Sequence, residues 1–403
     1  MKNKYLKLKE IFICLESGKR EKGGALTSDG IPSIGAEHLD NYGGFNFKKI
    51  KFISSSFFEK FKKGVINYND ILIVKDGATT GKVSFVDNSF PYKKSAVNEH
   101  VFILRIDDKE MLPKFVFYYL FSEYGKKNIL RSFHGSGQGG INKNFIDFIK
   151  LPITLKENQN LIVKQLDNIR SKIEKRKETI RLADEFLKST FVEMFGEPQK
   201  NNKNWEMGII NNIVKYSEYG ISEKSNNEKI GYPILGMGNI SYNGELDFSN
   251  LKYVNISKEE FEKIKLQNMD VIFNRTNSSE RVGKTSFWNK DKEAVLASYL
   301  VKLRLKDEFN AIWFTFLLNT DYFKKLFQER CRKSVNQSNI NPTLLKQFPA
   351  YLPPIEIQNK FAKVVLNIIK IKQQQKESLT ELENLFNSLM QKAFRGEIVK
   401  NKL

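Results

Sequence analysis

The sequence is written twice. "TTGKVSFVD" holds Gly81-Lys82 where "ERVGKTSFWN" holds Gly283-Lys284, and "GIPSIG" from Gly30 answers to "GYPILG" from Gly231. "NDILIVKDG" matches "MDVIFNRTN" through Asp70 and Asp270, and "GQGGINKNFI" matches "NQSNINPTLL", pairing Gln138 with Gln337 and Ile141-Asn142 with Ile340-Asn341. "LPIT" then answers to "LPPI", "NQN" to "IQN", and the halves close at Gly196-Glu197 and Gly396-Glu397. Landmarks kept in one order at a spacing of about 200 residues mark a tandem duplication, so one scaffold must serve both halves. Between landmarks the halves diverge, as in "SFPYKKSAVNEHVF" against "DKEAVLASYLVK". A shared scaffold with two unlike surfaces suits a protein that reads two different things.

Each half ends in a long periodic segment. In "NLIVKQLDNIRSKIEKRKETIRLADEFLKSTFVEMFGE" apolar residues fall at Ile162, Leu166, Ile169, Ile173, Ile180, Ala183, Leu187 and Phe191, with Arg176 interrupting the seam. The second half repeats the phase with Phe361, Val365, Ile368, Leu379, Leu382, Phe386 and Leu389, interrupted by Lys372 and Gln375. The pattern predicts two helices of about 35 residues, roughly 50 Å long. A helix with one apolar stripe must bury it, and its own duplicate is the simplest partner, which predicts an antiparallel coiled coil. In antiparallel register the polar interruptions meet near the middle.

The intervening segments mix short β-rich runs ("DILIVKDG", "VSFVD", "HVFILRI", "DVIFN", "YLVKLRL") with shorter aromatic-rich helices such as "LPKFVFYYLFSEYGKKNIL" and "AIWFTFLLNTDYFKKLFQERC". The fold class expected is α+β and internally duplicated, with a pseudo-two-fold. A first globular module spans 1–156, a first spacer helix 157–197, a second module 198–354, and a second spacer helix with the C-terminus 355–403.

Charge narrows the partners. Lys+Arg 66 against Asp+Glu 46 gives a formal net charge of +20, which points to a polyanion, nucleic acid first. Cys14 and Cys331, with His38, His100 and His134, have no metal-ligand spacing, so neither a zinc site nor a disulfide framework is expected. The apolar run near the N-terminus is too short for a signal peptide and none approaches a membrane span, so a cytoplasmic location is expected.

Catalytic constellations are not found. Gly283-Lys284-Thr285 ends like a phosphate-binding loop, but Ser278 stands where that loop needs its first glycine, and "SFWN" reads as strand or turn rather than helix. The twin Gly81-Lys82-Val83 lacks the hydroxyl that would bind magnesium. "INPTLL" and "LPPI" only graze the catalytic stretch of a base methyltransferase, and the carboxylates sit beside lysines as solvated faces do rather than clustering for a metal. The chain is therefore expected to be non-catalytic, with no cofactor or metal of its own.

Candidate DNA contacts fall into three groups. The loop "LRSFHGSGQGGINKN" carries Arg131, His134, Gln138 and Asn142, and its twin "ERCRKSVNQSNINP" carries Arg330, Arg332, Lys333 and Gln337. Such side chains make bidentate contacts to purine edges, and glycines let backbone approach phosphate. The lysines of the two Gly-Lys turns, Lys82 and Lys284, are repeated and so suit phosphate. Residues that are not repeated, Lys75, Lys93, Lys94, Arg275, Asn277 and Arg281, suit base reading.

Taken together, the duplicated halves, "DILIVKDGATTGKVSFV" and "DVIFNRTNSSERVGKTSFW", "INKNFIDFIKLPI" and "INPTLLKQFPAYLPP", and the helices that follow "QN" and end in "FGE" or "RGE" resemble the specificity (S) subunit of type I restriction-modification systems. The resemblance covers essentially the whole chain. It implies two target recognition domains, each reading one half of a bipartite double-stranded DNA target and held apart by paired helices. It also implies two methyltransferase (modification) subunits on the helices, and restriction (motor/nuclease) subunits for cleavage. S-adenosylmethionine, ATP and magnesium would belong to those partners. Two other readings stay open: the specificity subunit of a type IIB-like system, and a coiled-coil interaction protein whose basic balance is only genomic bias. A combined enzyme would need S-adenosylmethionine binding by the isolated chain. The glycine-poor "NQSNIN", where the first half has "GQGGIN", implies that the second loop grips DNA differently.

Overall fold

The computed structural model describes residues 5–135, 139–333 and 337–395. The chain divides into two compact units, Met1–Lys177 with Glu377–Leu403, and Glu178–Lys376.

In the first unit the continuous apolar run Ile71–Val74 forms a strand buried on both faces, as a central strand requires. Its four-stranded sheet runs Phe12–Ser17, Val101–Ile106, Ile71–Val74, Val83–Phe85, antiparallel throughout. Because side chains alternate, Ile71 and Ile73 pack towards the helix Pro113–Phe121. Leu72 and Val74 face the opposite way into a smaller core with Ile34 and Val97. That second layer is a three-stranded sheet, Lys51–Ile53, Ile31–Ile34 and Ala96–Val97, in which the last two are parallel. Strand Tyr5–Lys7 pairs with Lys150–Pro152, closing the module on its own beginning.

The second unit repeats this plan. Val214–Tyr219, Leu300–Leu305, Val271–Asn274 and Thr285–Phe287 form the main sheet, and Ser225–Asn226, Lys252–Val254, Tyr232–Leu235 and Val295–Leu296 the smaller one. The aspartate landmarks have a shared reason. Asp70 and Asp270 are fully buried. Asp70 accepts from Arg105 Nε at 2.7 Å and Nη2 at 2.8 Å, and from the Asn67 N–H at 2.7 Å. Asp270 accepts from Arg304 Nε and from the Gln267 N–H, each at 2.7 Å.

One core position changes from an apolar side chain to an unpartnered amide between the halves. Asn274 stands where the first unit has Val74, is fully buried, and has no hydrogen-bond partner for either side-chain polar atom. A buried amide without partners costs desolvation that a valine does not. Asn274→Val is therefore expected to stabilise the chain by about 1–3 kcal/mol, seen as a higher urea midpoint at unchanged slope. A lowered midpoint would mean that the amide is satisfied in solution.

The long helices are Lys156–Phe195 and Ile355–Phe394, 40 residues each. Within the first unit, Ile162, Leu166 and Ile173 share a core with Phe386, Met390 and Phe394; within the second, Leu187, Phe191 and Phe195 share one with Phe361 and Val365. The start of one helix thus packs with the end of the other in both units, the antiparallel arrangement expected. Each helix segment also lies against its module, as where the Phe195 ring comes 6.3 Å from Trp313, so partner helix and module share the apolar stripe.

The "QN" landmarks anchor these helices. Gln159 is fully buried, accepts from the Leu112 N–H at 2.8 Å and donates to the carbonyls of Glu110 and Thr154 at 3.0 Å each. Gln358 accepts from the Asn310 N–H at 2.8 Å and donates to the Glu308 and Pro353 carbonyls. The seam lysine Lys372 meets a carboxylate across the pairing, held by Asp184 of the first long helix and by Glu245. Burial alone would raise the Glu245 carboxyl, but hydrogen bonds from Lys372 and Lys376 outweigh it and hold its pKa below the ordinary value.

Candidate nucleic-acid interface

Two segments that are far apart in sequence come together in each unit. Past the central strand Ile71–Val74, Lys75 and Asp76 meet the hairpin Phe133–His134/Gly140–Ile141: the Ile141 N–H donates to the Lys75 carbonyl at 2.8 Å and Asp76 bridges to Gly140. In the second unit the Ile340 N–H donates to the Arg275 carbonyl at 2.8 Å, and Thr276–Asn277 pairs with Ser338–Asn339. Gly140 leaves no room for a side chain here, since a Cβ would come within 2.8 Å of the Lys75 carbonyl oxygen.

A third segment completes each cluster. The Lys75 N–H donates to the His100 carbonyl at 2.8 Å, and the Arg275 N–H to that of Tyr299 at 3.1 Å. Lys75 Nζ donates to the Glu99 carbonyl at 3.3 Å, and Arg275 Nε to the equivalent carbonyl of Ser298 at 2.9 Å. The cation is tethered by the same backbone group in both halves, but its surroundings differ. In the first unit, Lys75 Nζ lies 3.6 Å from Asp76, whose other oxygen meets His100 Nδ1 at 2.5 Å; His100 Nε2 lies 3.4 Å from Glu99. In the second, the Arg275 guanidinium lies 4.9 Å from the Tyr219 ring centroid, and Asn339 donates to the Thr276 hydroxyl at 2.8 Å. One cluster offers carboxylates and imidazole, the other guanidinium, hydroxyl and amide.

The other sequence candidates are distributed around these clusters. His134 is exposed on the first hairpin, and its ring nitrogen Nδ1 contacts the Ser132 carbonyl at 3.0 Å. Arg131 is exposed at the end of the helix Glu123–Leu130, 5.2 Å over the Phe148 ring. Arg330 is exposed at the end of the helix Asp321–Arg330, and Arg332 and Gln337 are exposed on either limb of the second hairpin region. Lys333 lies in strand Arg332–Lys333, with its side chain outside the described residues, as is the whole of Gln138. Lys93 and Lys94 are exposed ahead of Ala96–Val97, Arg281 is exposed ahead of Gly283, and Asn277 is half-buried on its strand.

Three candidates have partners within their own module. The ammonium groups of Lys82 and Lys284 are held by carbonyls. Gly81 and Gly283 adopt φ of +81° and +86°, which folds the following lysine back over the module. Lys82 Nζ donates to the Leu39 carbonyl at 3.1 Å, and Lys284 Nζ, 9% exposed, to those of Met237 at 2.9 Å and Ile240. Burial, then the nearby Arg281 charge, lowers the Lys284 pKa from the usual lysine value. The repeated lysine therefore caps carbonyls at the end of a short helical turn. Asn142 is likewise a cap: its side chain accepts from the Asn144 N–H at 2.9 Å, as its twin Asn341 accepts from that of Leu344 at 2.8 Å.

Sequence reading missed Asp76, Glu99 and His100, and with them Tyr219, Ser298 and Tyr299. A signal was present, since Asp76 and Thr276 adjoin a repeated strand yet differ between halves, but nothing local tied them to residues further along. His38 has a structural part. The Gly35 N–H donates to its Nδ1 at 2.8 Å, so Nε2 carries the proton and donates to the Lys49 carbonyl at 3.1 Å; Asn239 likewise accepts from the Gly236 N–H at 2.9 Å and donates to the Asp247 carbonyl at 2.8 Å. Among the described residues no group of histidine, cysteine and carboxylate side chains could hold a metal ion, and no helix is long and apolar enough to cross a membrane.

Comparison with known proteins gives concordant matches. The family described as type I restriction modification DNA specificity domain matches twice, over residues 2–182 and 202–384. The putative type I restriction enzyme MjaX specificity subunit of Methanocaldococcus jannaschii is 30% identical over 203 residues, 50% of this chain and 48% of that protein, so this match spans about half of each. The type I restriction enzyme EcoKI specificity subunit of Escherichia coli is 24% identical, with 93% of this chain and 83% of that one covered. Among solved structures, the type I restriction-modification system S subunit from M. genitalium superposes with a TM-score of 0.62 at 17% identity, covering 98% of this chain and 96% of that one. The fold is thus shared where little sequence is.

Proposed function

Because this chain belongs to the type I restriction-modification DNA specificity family, as a non-catalytic specificity subunit, we propose that each unit reads one half of a bipartite double-stranded DNA target through the cluster around Lys75 or Arg275. The observation that carries this reading is a pair of cations tethered by the same backbone carbonyl in both halves but set among unlike hydrogen-bonding groups. Bases are distinguished by donor and acceptor patterns in the major groove. Carboxylates such as Asp76 and Glu99 accept from the cytosine amino group, whereas a guanidinium such as that of Arg275 pairs with guanine. Exposed Arg131, Arg330 and Arg332 would supply phosphate contacts that position each unit, and exposed Lys93, Lys94 and Arg281, which are not repeated, would add to base reading.

The partners that carry out chemistry would be two methyltransferase subunits, joined by restriction subunits for cleavage. S-adenosylmethionine, ATP and magnesium would be theirs, and the complex would act in the cytoplasm. The paired helices would set the length of DNA left unread between half-sites, as the separation of two modules does in dimeric DNA binders.

Co-expression with the methyltransferase encoded beside this chain, followed by genome-wide mapping of modified adenines, tests the proposal. The expected result is one motif of two short half-sites separated by a fixed spacer, with duplex binding that falls steeply as salt rises. An assembled complex that modifies no bipartite motif would overturn it.

A further inference from the structure

The second unit holds a cavity of about 310 Å³ beside the long helices, at the lower end of the size range of small-molecule sites. Its origin can be traced through the duplication. Leu112 and Asn310 each donate a backbone N–H to the buried glutamine of a long helix, and Ser122 and Thr320 each cap the next helix. Between these fixed points Phe117 of the first unit corresponds to Thr315 of the second, and Phe121 to Asn319. On the long helices, counting from Gln159 and Gln358, Arg170 corresponds to Ile369.

In the first unit the Phe117 ring fills this place. Its centroid lies 5.4 Å from that of Phe85 and 5.6 Å from that of Phe121, the Arg170 guanidinium lies 6.0 Å above it, and a Cβ on Gly43 would come within 2.5 Å of it. In the second unit the ring is replaced by a threonine side chain and the space stays open.

The walls have a defined chemistry. Leu187, Phe191, Phe287, Phe316, Val365 and Ile369 make them largely apolar. Thr315 also lines the cavity, at the place where the first unit has the Phe117 ring. Of the lysines, Lys372 is neutralised by Asp184 and Glu245. Lys324 instead lies 3.9 Å over the Tyr242 ring, with no carboxylate at ion-pair distance among the described residues. Burial lowers its pKa from the ordinary lysine value, with Asp321 offsetting part of that effect, so an incoming anion would gain an incompletely compensated charge.

We infer that this cavity is a binding site for a small aromatic acid, with an apolar ring system beside the long helices and a carboxylate for Lys324. The inference does not rest on DNA reading, because it concerns a space opened by differences between two copies of the same scaffold. Phenylalanine in the first copy shows that the fold tolerates a filled site, and the second copy keeps it open.

The test is calorimetric titration of the full chain with naphthoate and its uncharged methyl ester. Naphthoate is expected to bind the natural chain one to one, and the ester, which lacks the charge, about tenfold more weakly, the equivalent of one ion pair. Thr315→Phe should abolish binding, and Lys324→Gln should remove the preference for the acid over its ester. Should Thr315→Phe fail to fold, Lys324→Gln decides, since it keeps the space and should bind acid and ester equally. No binding to the natural chain, equal binding by folded Thr315→Phe, or an acid preference that survives in Lys324→Gln would each overturn the inference.

Discussion

Asp270→Asn is expected to destabilise the second unit by about 3 kcal/mol, near the lower end of the range for breaking a buried ion pair. The carboxylate is fully buried and accepts from both Arg304 and the Gln267 N–H. An asparagine has one oxygen for these donors and turns its amide N–H groups towards the rest. Arg304 is about a quarter exposed, so water recovers part of the loss on the cation's side. Asp70→Asn should cost at least as much, since Asp70 accepts from Arg105 through both oxygens. Urea unfolding followed by tryptophan fluorescence reports selectively on the second unit, because Trp205, Trp288 and Trp313 all lie in it. Its midpoint should fall for Asp270→Asn, and an unchanged midpoint would show that the pair contributes nothing net.

Arg275→Ala is expected to weaken specific DNA binding by about 1–3 kcal/mol and to relax base preference in one half-site only. Its guanidinium is tethered by the Ser298 carbonyl and backed by Tyr219, which on the proposed reading would hold it ready for a base edge. Lys284→Met is the informative control. Its ammonium already serves the Met237 and Ile240 carbonyls, so, in contrast to a phosphate-binding lysine, its loss should leave the salt dependence of binding unchanged. A shallower salt slope in Lys284→Met, or an unaltered motif with Arg275→Ala, would contradict the assignment of these two residues.

Much of the fold was legible because repetition and periodicity are linear signals. The antiparallel helices follow from seams such as Ile162-Leu166-Ile173 and Phe361-Val365, and the central strands from "DILIV" and "DVIF". The candidate interface was less legible. Identity and charge made Lys82 and Lys284 resemble phosphate ligands, yet a positive-φ glycine decides where a lysine points. Asn142 and Asn341, repeated between halves, turned out to be caps. The reverse case is that of Asp76, Glu99 and His100, which carry no local motif and come together only when strand, hairpin and crossover segment meet.

The sequence by itself determined that one scaffold is used twice, that two long helices pair, and that the chain carries a strong positive charge, because repeats, apolar periodicity and composition need no knowledge of distance. Only the tertiary structure decided which cations face inward, which segments share a cluster, and that Thr315 leaves a space where Phe117 fills one. These depend on backbone dihedrals and on packing between residues far apart in the chain. A side chain's chemistry states what it can bind, and the fold states what is within its reach.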